Sequence, residues 1–299
     1  MATYSVDIAN ELRPGLMAVF GSYPLDKGQF REIYKEYKSD KNFEQEVEMK
    51  MLGLAQLRGE GSPTTYDNMG QRSLFTYVNQ TIALGYAITM EAQEDNLYKD
   101  RFPLMVTSLR NSLEQTKEIL AVNPLNNGFA TYIIGDGQPL FSTAHPIDVG
   151  TVANTPANQI DLNEASLEVG INVVRKFKDV AGLIISTQPK KLIVPTEGNW
   201  VASRLLNSKF RVGTPNNDIN ALNFEDAVPE GYVTNQFLQM PYSWYLQTNA
   251  PEGMKYYVRK PLVTDVYCDF QTDMLLIKGV ERYCFGASNF RCFYASQGV

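Results

Sequence analysis

Nucleophilic or metal chemistry in this chain would have to be built from one histidine, His145, and three cysteines, Cys268, Cys284 and Cys292. A Cys–His pair works through a thiolate, which forms readily only near water or positive charge. All three cysteines keep strand-like, aromatic company (Tyr-Cys-Asp, Tyr-Cys-Phe, Arg-Cys-Phe), a setting that predicts burial and an inert thiol. His145 lies more than 120 positions before them and directly precedes Pro146, so it reads as a turn residue bonded to backbone. One imidazole with dispersed cysteines also fails to make a zinc site. Glu91, Glu94 and Asp95 crowd together ahead of a helical run and read as a solvated cap. Gly135-Asp-Gly137 and Gly59-Glu-Gly61 are tight turns without the strand, glycine loop and helix that cradle a phosphate, and neither a Gly-x-Ser-x-Gly nor a P-loop pattern occurs. The residues predict no catalytic, cofactor-binding or metal site.

The chain has 299 residues, 44% of them hydrophobic and 20% charged, enough apolar side chain for a packed core and no bias toward disorder. Its 27 basic and 33 acidic residues leave a net charge of -6, which excludes the basic footprint of a nucleic-acid binder. No stretch approaches the apolar length that a bilayer span requires, so neither a membrane anchor nor a signal peptide is expected. An odd number of cysteines confined to the C-terminal end fits reduced thiols and synthesis in the cytosol. The 17 Tyr and 15 Phe exceed what one core consumes and favour an interface.

The periodicities predict a mixed α+β architecture. Residues 1–22 read as an arm. Phe30, Ile33, Tyr34 and Tyr37 recur at helical spacing and predict a short amphipathic helix within 26–42. Residues 44–58, a glycine-rich stretch over 59–70 and a β-branched, aromatic run over 73–80 predict a long two-stranded hairpin with a polar tip. Two strands cannot bury a face between themselves, so the hairpin must pack on its own domain or on a neighbouring subunit; the residues alone favour its own domain.

The strongest helix spans 100–122, with Asp100 as N-cap, Pro103 in the first turn, a stripe of Met105, Leu109, Leu113, Thr116 and Leu120, and a stop at Asn123-Pro124. A second opens on an Asp161-Leu-Asn-Glu164 capping box and buries Leu167, Ile171, Val174 and Phe177. A buried strand over 191–195 leads into a third helix over 196–207, and 216–223 is loop. Five short strands follow, over 256–259, 264–270, 274–278, 282–285 and 290–295.

Taken in order, Glu94-Asp-Asn-Leu97, Gly135-Asp-Gly-Gln-Pro-Leu-Phe-Ser-Thr-Ala-His-Pro146, Lys190-Lys-Leu-Ile-Val-Pro195, Asn217-Asp-Ile-Asn220, Arg282-Tyr-Cys-Phe-Gly286 and Phe293-Tyr-Ala-Ser296 resemble the Mu-like major head subunits of tailed phages, over roughly residues 50–299. That resemblance implies the Hong Kong 97-type capsid fold. It divides the chain into an N-terminal arm (1–50), an extended hairpin loop (51–90), a peripheral domain with a spine helix (91–145), an axial domain (146–262) and peripheral-domain return strands (263–299). It also implies a structural protein rather than an enzyme, one that forms hexamers and pentamers of an icosahedral shell enclosing double-stranded DNA. The hairpin then lies across a neighbouring subunit, the reverse of the reading from residues alone.

The same resemblance makes Arg58, Glu60, Arg72 and Tyr77 candidates for subunit contacts. Partners implied are other copies of the chain, a portal, decoration proteins and a separate scaffolding protein, the last because only residues 1–50 precede the hairpin. DNA is enclosed without sequence-specific binding, no membrane or cofactor is involved, no covalent cross-link is expected, and the particle assembles in the host cytoplasm. The competing readings are an encapsulin-like nanocompartment shell, a Cys/His enzyme and a tail tube.

Overall fold

The computed structural model describes residues 28–89, 91, 98–210, 218–269 and 271–299, with side chains described from 104 onward in the long helix. The arm over 1–22, the acidic pair Glu94 and Asp95, the Asp100 and Pro103 side chains and Asn217 lie outside what is described. The chain divides into two compact units, the first from residues 28–44, 78–121 and 256–285, the second from 45–77, 122–255 and 286–299.

In the first unit a four-stranded sheet has the order β1-β10-β11-β4, formed by β1 (Lys35–Lys38), β4 (Gln80–Ile88), β10 (Met254–Cys268) and β11 (Leu275–Ala287). Strands β11 and β4 are antiparallel, from Leu275 opposite Ile88 to Tyr283 opposite Gln80. Helix α1 (Tyr98–Asn126) lays Val106, Leu109 and Leu113 on Ile88, Leu275 and Ile277 of this sheet. A second cluster joins Phe30 and Tyr34 to Phe285 at ring distances of 5.4 and 4.9 Å, with Tyr256 stacked on Phe285 at 4.5 Å.

Four expectations change here. Only one 3-10 turn (Gln29–Glu32) forms in place of the helix expected within 26–42, and Lys35–Lys38 goes to the sheet, because pairing with an open edge satisfies backbone groups that a short isolated helix leaves to water. Helix α1 begins before Asp100 and runs through Pro124 to Asn126. Ala121, Val122 and Leu125 are fully buried, and that burial outweighs one missing amide donor in the last turn. Its buried stripe is rotated from the expected one, with Val106 inside and Met105 exposed. The first four of the five strands expected after residue 255 fuse into two long ones. Gly279, which looks like a break, is instead a point of close approach: a Cβ there would stand 2.8 Å from Leu113 Cδ1.

The second unit holds a mixed sheet of order β12-β9-β7-β8, from β7 (Pro189–Val194), β8 (Tyr232–Thr234), β9 (Trp244–Thr248) and β12 (Phe293–Ser296). Strand β7 is parallel to β8 and antiparallel to β9. Leu192, Ile193 and Val194 are all buried, which explains an uninterrupted apolar run rather than an alternating one. Helix α2 (Glu164–Arg175) packs here through Leu167, Ile171 and Val174, with Phe177 buried just beyond it, as the sequence predicts. Its cap is Asn163 rather than Asp161: Asn163 accepts from the Ser166 amide, and Ser166 Oγ accepts from the Asn163 amide, each at 2.8 Å. The third helix is a 3-10 turn (Thr196–Gly198) followed by α3 (Asn199–Asn207). The expected loop at 216–223 contains one helical turn, α4 (Ala221–Phe224), capped by Asn220. The last expected strand shortens to β12 behind a 3-10 turn (Phe290–Cys292). This unit also carries the pairs β2 (Phe43–Lys50) with β3 (Gly70–Val78) and β5 (His145–Ile147) with β6 (Gly150–Val152).

Candidate assembly surface

Strands β2 and β3 are the hairpin anticipated from the sequence; the alternation of β2 is inverted relative to a strand that faces a core, while β3 turns Phe75 and Tyr77 inward. Along β2 the exposed positions are Phe43, Gln45, Val47 and Met49, while Glu44, Glu46, Glu48 and Lys50 are turned in. Val47 is 43% and Met49 48% exposed, and Leu74 on β3 is 42% exposed. The loop 51–69 between the strands has no helix or strand and exposes Leu54, Leu57 and Tyr66.

The inward charges are matched one by one. Glu46 accepts from Tyr77 Oη at 3.1 Å, and from Lys255 Nζ and Ser288 Oγ. Glu48 accepts from Ser73 Oγ and from Arg291 Nη1, both at 2.9 Å. Lys50 pairs with Asp148 at 2.8 Å, and this partner holds its ammonium above the usual lysine range. Arg72 donates to the Pro146 carbonyl and lies 3.9 Å from Asp148. Strand β2 therefore anchors through polar contacts beside the inward Phe75 and Tyr77 of β3 and leaves Val47 and Met49 exposed, the opposite of what a solitary domain would do with these two side chains.

The four residues singled out from sequence fall into two pairs. Arg58 and Glu60 are exposed at the loop, where Arg58 bonds the Ser62 carbonyl and lies 3.3 Å from Thr64 Oγ1. Arg72 and Tyr77 sit at the root; Tyr77 is 2% exposed, and burial followed by the nearby Glu46 pushes its phenol well above the usual range. Sequence reasoning missed Glu46, Glu48 and Lys50 as the anchors. Their strict alternation with apolar residues was the available signal, but period two does not say which face turns inward.

The residues that could have carried chemistry are arranged otherwise. Burial pushes both the Cys284 and Cys292 thiols up to about 12, the reverse of an activated nucleophile. His145 is not a backbone-bonded turn residue: it opens β5, is fully buried and bonds the side chains of Asp136 and Asn154. Its ring is occupied on both nitrogens, so it has no hand free for a substrate. A cleft of about 500 Å³ beside the hairpin contains Glu46 and Glu48, whose carboxylates are already committed to Lys255 and Arg291. Among the described residues no three His, Cys, Asp or Glu side chains could hold a metal, and no helix is long and apolar enough to cross a membrane.

A family model described as phage capsid protein matches residues 75–296. No curated protein sequence matches the chain. Among solved structures, the capsid of bacteriophage JBD30 decorated with minor capsid protein trimers is similar with a TM-score of 0.58 at 13% identity, covering 73% of this chain and 93% of that one. The capsid of Myoviridae phage XM1 gives 0.54 at 11% identity over 92% and 91% of the two chains. The virus-like particle from Pyrococcus furiosus gives 0.54 at 8% identity over 96% and 98%. At such identities the likeness is one of fold, and the fold is the Hong Kong 97-type capsid fold.

Proposed function

Because the chain belongs to the phage capsid protein family, we propose that it is the major head subunit of a tailed phage, assembling as hexamers and pentamers into an icosahedral shell that encloses double-stranded DNA. The observation that carries this reading is the hairpin with its polar face anchored inward and its apolar face outward at Val47, Met49 and Leu74. Such a face is stabilised when a second copy covers it, which couples assembly to burial of surface that the single chain cannot bury. On this reading the arm of 1–50 ends in β2, which with β3 and the loop between them forms the extended loop across the neighbouring subunit within 51–90 and its root, 91–145 is the peripheral domain with α1 as its spine, 146–262 the axial domain and 263–299 the return strands. Arg58 and Glu60 reach charges on the neighbour, while Arg72 and Tyr77 serve by holding the root that presents them.

A separate scaffolding protein and a portal complete assembly in the host cytoplasm. A net charge of -6 suits a container whose lining must let packaged DNA move. Negative-stain microscopy with light scattering on the purified chain, alone and with the other virion proteins, tests the proposal: closed shells or rings of five and six subunits are expected. A monomer that persists with all those proteins present refutes it. The fold shared with the virus-like particle from Pyrococcus furiosus favours one alternative, a nanocompartment shell. Nuclease-protected DNA inside purified particles supports the head reading, and a protein cargo in its place supports the other.

A further inference from the structure

The cleft of about 500 Å³ beside the hairpin lies wholly within the second unit, and Glu46, Val47, Glu48 and Met49 all contribute to its lining. Side chains of a strand alternate between its two faces, so a wall to which four consecutive residues contribute is the edge of the strand. Strand β2 pairs with β3 alone among the described residues, and its other edge therefore offers backbone amides and carbonyls to the cleft. Phe75 of β3 and Pro251 add apolar surface to the same lining. A slot of this kind takes an extended peptide as an added strand.

The charges of the slot select among extended peptides. Glu46 and Glu252 share the Lys255 ammonium, and Glu48 holds Arg291, so three carboxylates meet two cations among the described ion pairs. Glu252 is the outermost of the three, with its side chain 60% exposed. An occupant that is apolar, free of carboxylates and ended by one cation matches this lining. Residues 51–58, Met-Leu-Gly-Leu-Ala-Gln-Leu-Arg, have that composition. They form no helix or strand, Leu54 and Leu57 are exposed, and the contacts of Arg58 are with Ser62 and Thr64 of its own loop. The chain's own segment continues outward from β2 and is tied across the loop from the Gly53 amide to Asp67 at 2.8 Å, so it does not turn back onto the edge it has just left.

Resting on the head-subunit reading above, we propose that the open edge of β2 is the seat for residues 54–58 of a second copy of the chain. The segment adds as a strand, Leu57 meets the apolar lining at Met49, Phe75 and Pro251, and Arg58 meets Glu252. Donor and seat are different surfaces of one chain, so the contact runs head to tail, the arrangement that closes into rings.

The test places a photoreactive diazirine side chain at position 57 and assembles shells from a mixture of 15N-labelled and unlabelled full-length chains. Irradiation should join residue 57 to peptides containing 46–51, 73–75, 251–252 or 288–289, in species that carry both isotopes. Links to other peptides, links confined to one isotope, or assembled shells without a link overturn the seat and leave the head-subunit reading intact. A wild-type chain that forms neither shells nor rings with the other virion proteins present removes that reading, and the seat with it. Arg58→Glu should lower the yield of shells roughly tenfold, and Glu252→Arg in the same chain should restore it. Normal yield from Arg58→Glu alone overturns the charge match, as does a folded double variant without recovery. If the double variant does not fold, the cross-link map decides alone.

Discussion

Burial disfavours a thiolate at both Cys284 and Cys292, the Glu44 charge adds to it at Cys284, and Cys268 is only partly covered. An alkylating reagent near neutral pH should therefore modify Cys268 in the native chain and all three cysteines in denaturant, read by intact mass; rapid native labelling of Cys284 would contradict the burial. Glu118 is a buried carboxyl of the other kind. Burial raises it above the usual carboxylate range, while the amides of Phe30 and Gln29 that donate to it pull the opposite way. The folded chain thus binds a proton here more readily than the unfolded chain. The stability tied to this site is fully present below about 4.5 and is lost as pH rises through the folded value. Acidification from neutrality toward that value should favour the wild type over Glu118→Gln in urea melts, and a pH-independent difference would exclude this origin.

At the scale of elements, α2 depends on a reciprocal cap and α1 on the buried stripe it sets against the first sheet. Asn163→Ala removes the acceptor for the Ser166 amide and should cost about 0.5–2 kcal/mol in denaturant unfolding. Leu113→Ala empties a position 1% exposed between Gly279 and the core, and should cost roughly 2–5 kcal/mol. The sequence made α2 legible because its apolar positions and its cap agree. It misplaced the cap by two residues, since Asp161 and Asn163 both offer an acceptor and only the chain's path into the helix chooses between them. Residues 26–42 read as helix for a related reason: Phe30, Ile33 and Tyr34 are buried as helical spacing suggests, but tertiary contacts bury them from one short turn and the residues just after it.

For the molecule as a whole, the hairpin separates folding from assembly. Charged substitutions on its outer face, Val47→Lys with Met49→Lys, replace side chains that are 43% and 48% exposed and should leave stability in urea within about 0.5 kcal/mol of wild type. The same double variant should fail to form shells under conditions where the wild type does, as seen by light scattering. Shells of normal yield from it would show that this face is not an assembly surface. Glu46→Gln acts from the inner face, where it weakens the contacts of Tyr77 and Lys255; there a loss of stability should precede any loss of assembly.

The sequence by itself determined the α+β class, the long helix, the hairpin with its irregular loop, the buried run Leu192–Val194 of β7 and the burial of Cys284 and Cys292. Each of these follows from local pattern, because periodicity, capping residues and aromatic neighbours are all written within a few positions. Tertiary structure alone decided which face of β2 turns inward and that Pro124 is tolerated within a helix. It alone joined residues expected in separate strands into β10 and β11, and drew His145, Asp136, Asn154 and Phe290 together. Those outcomes depend on which distant groups satisfy a charge or cover a side chain. Glu48 finds Arg291, and Asn154 finds the Phe290 carbonyl, across separations over which no local period carries information.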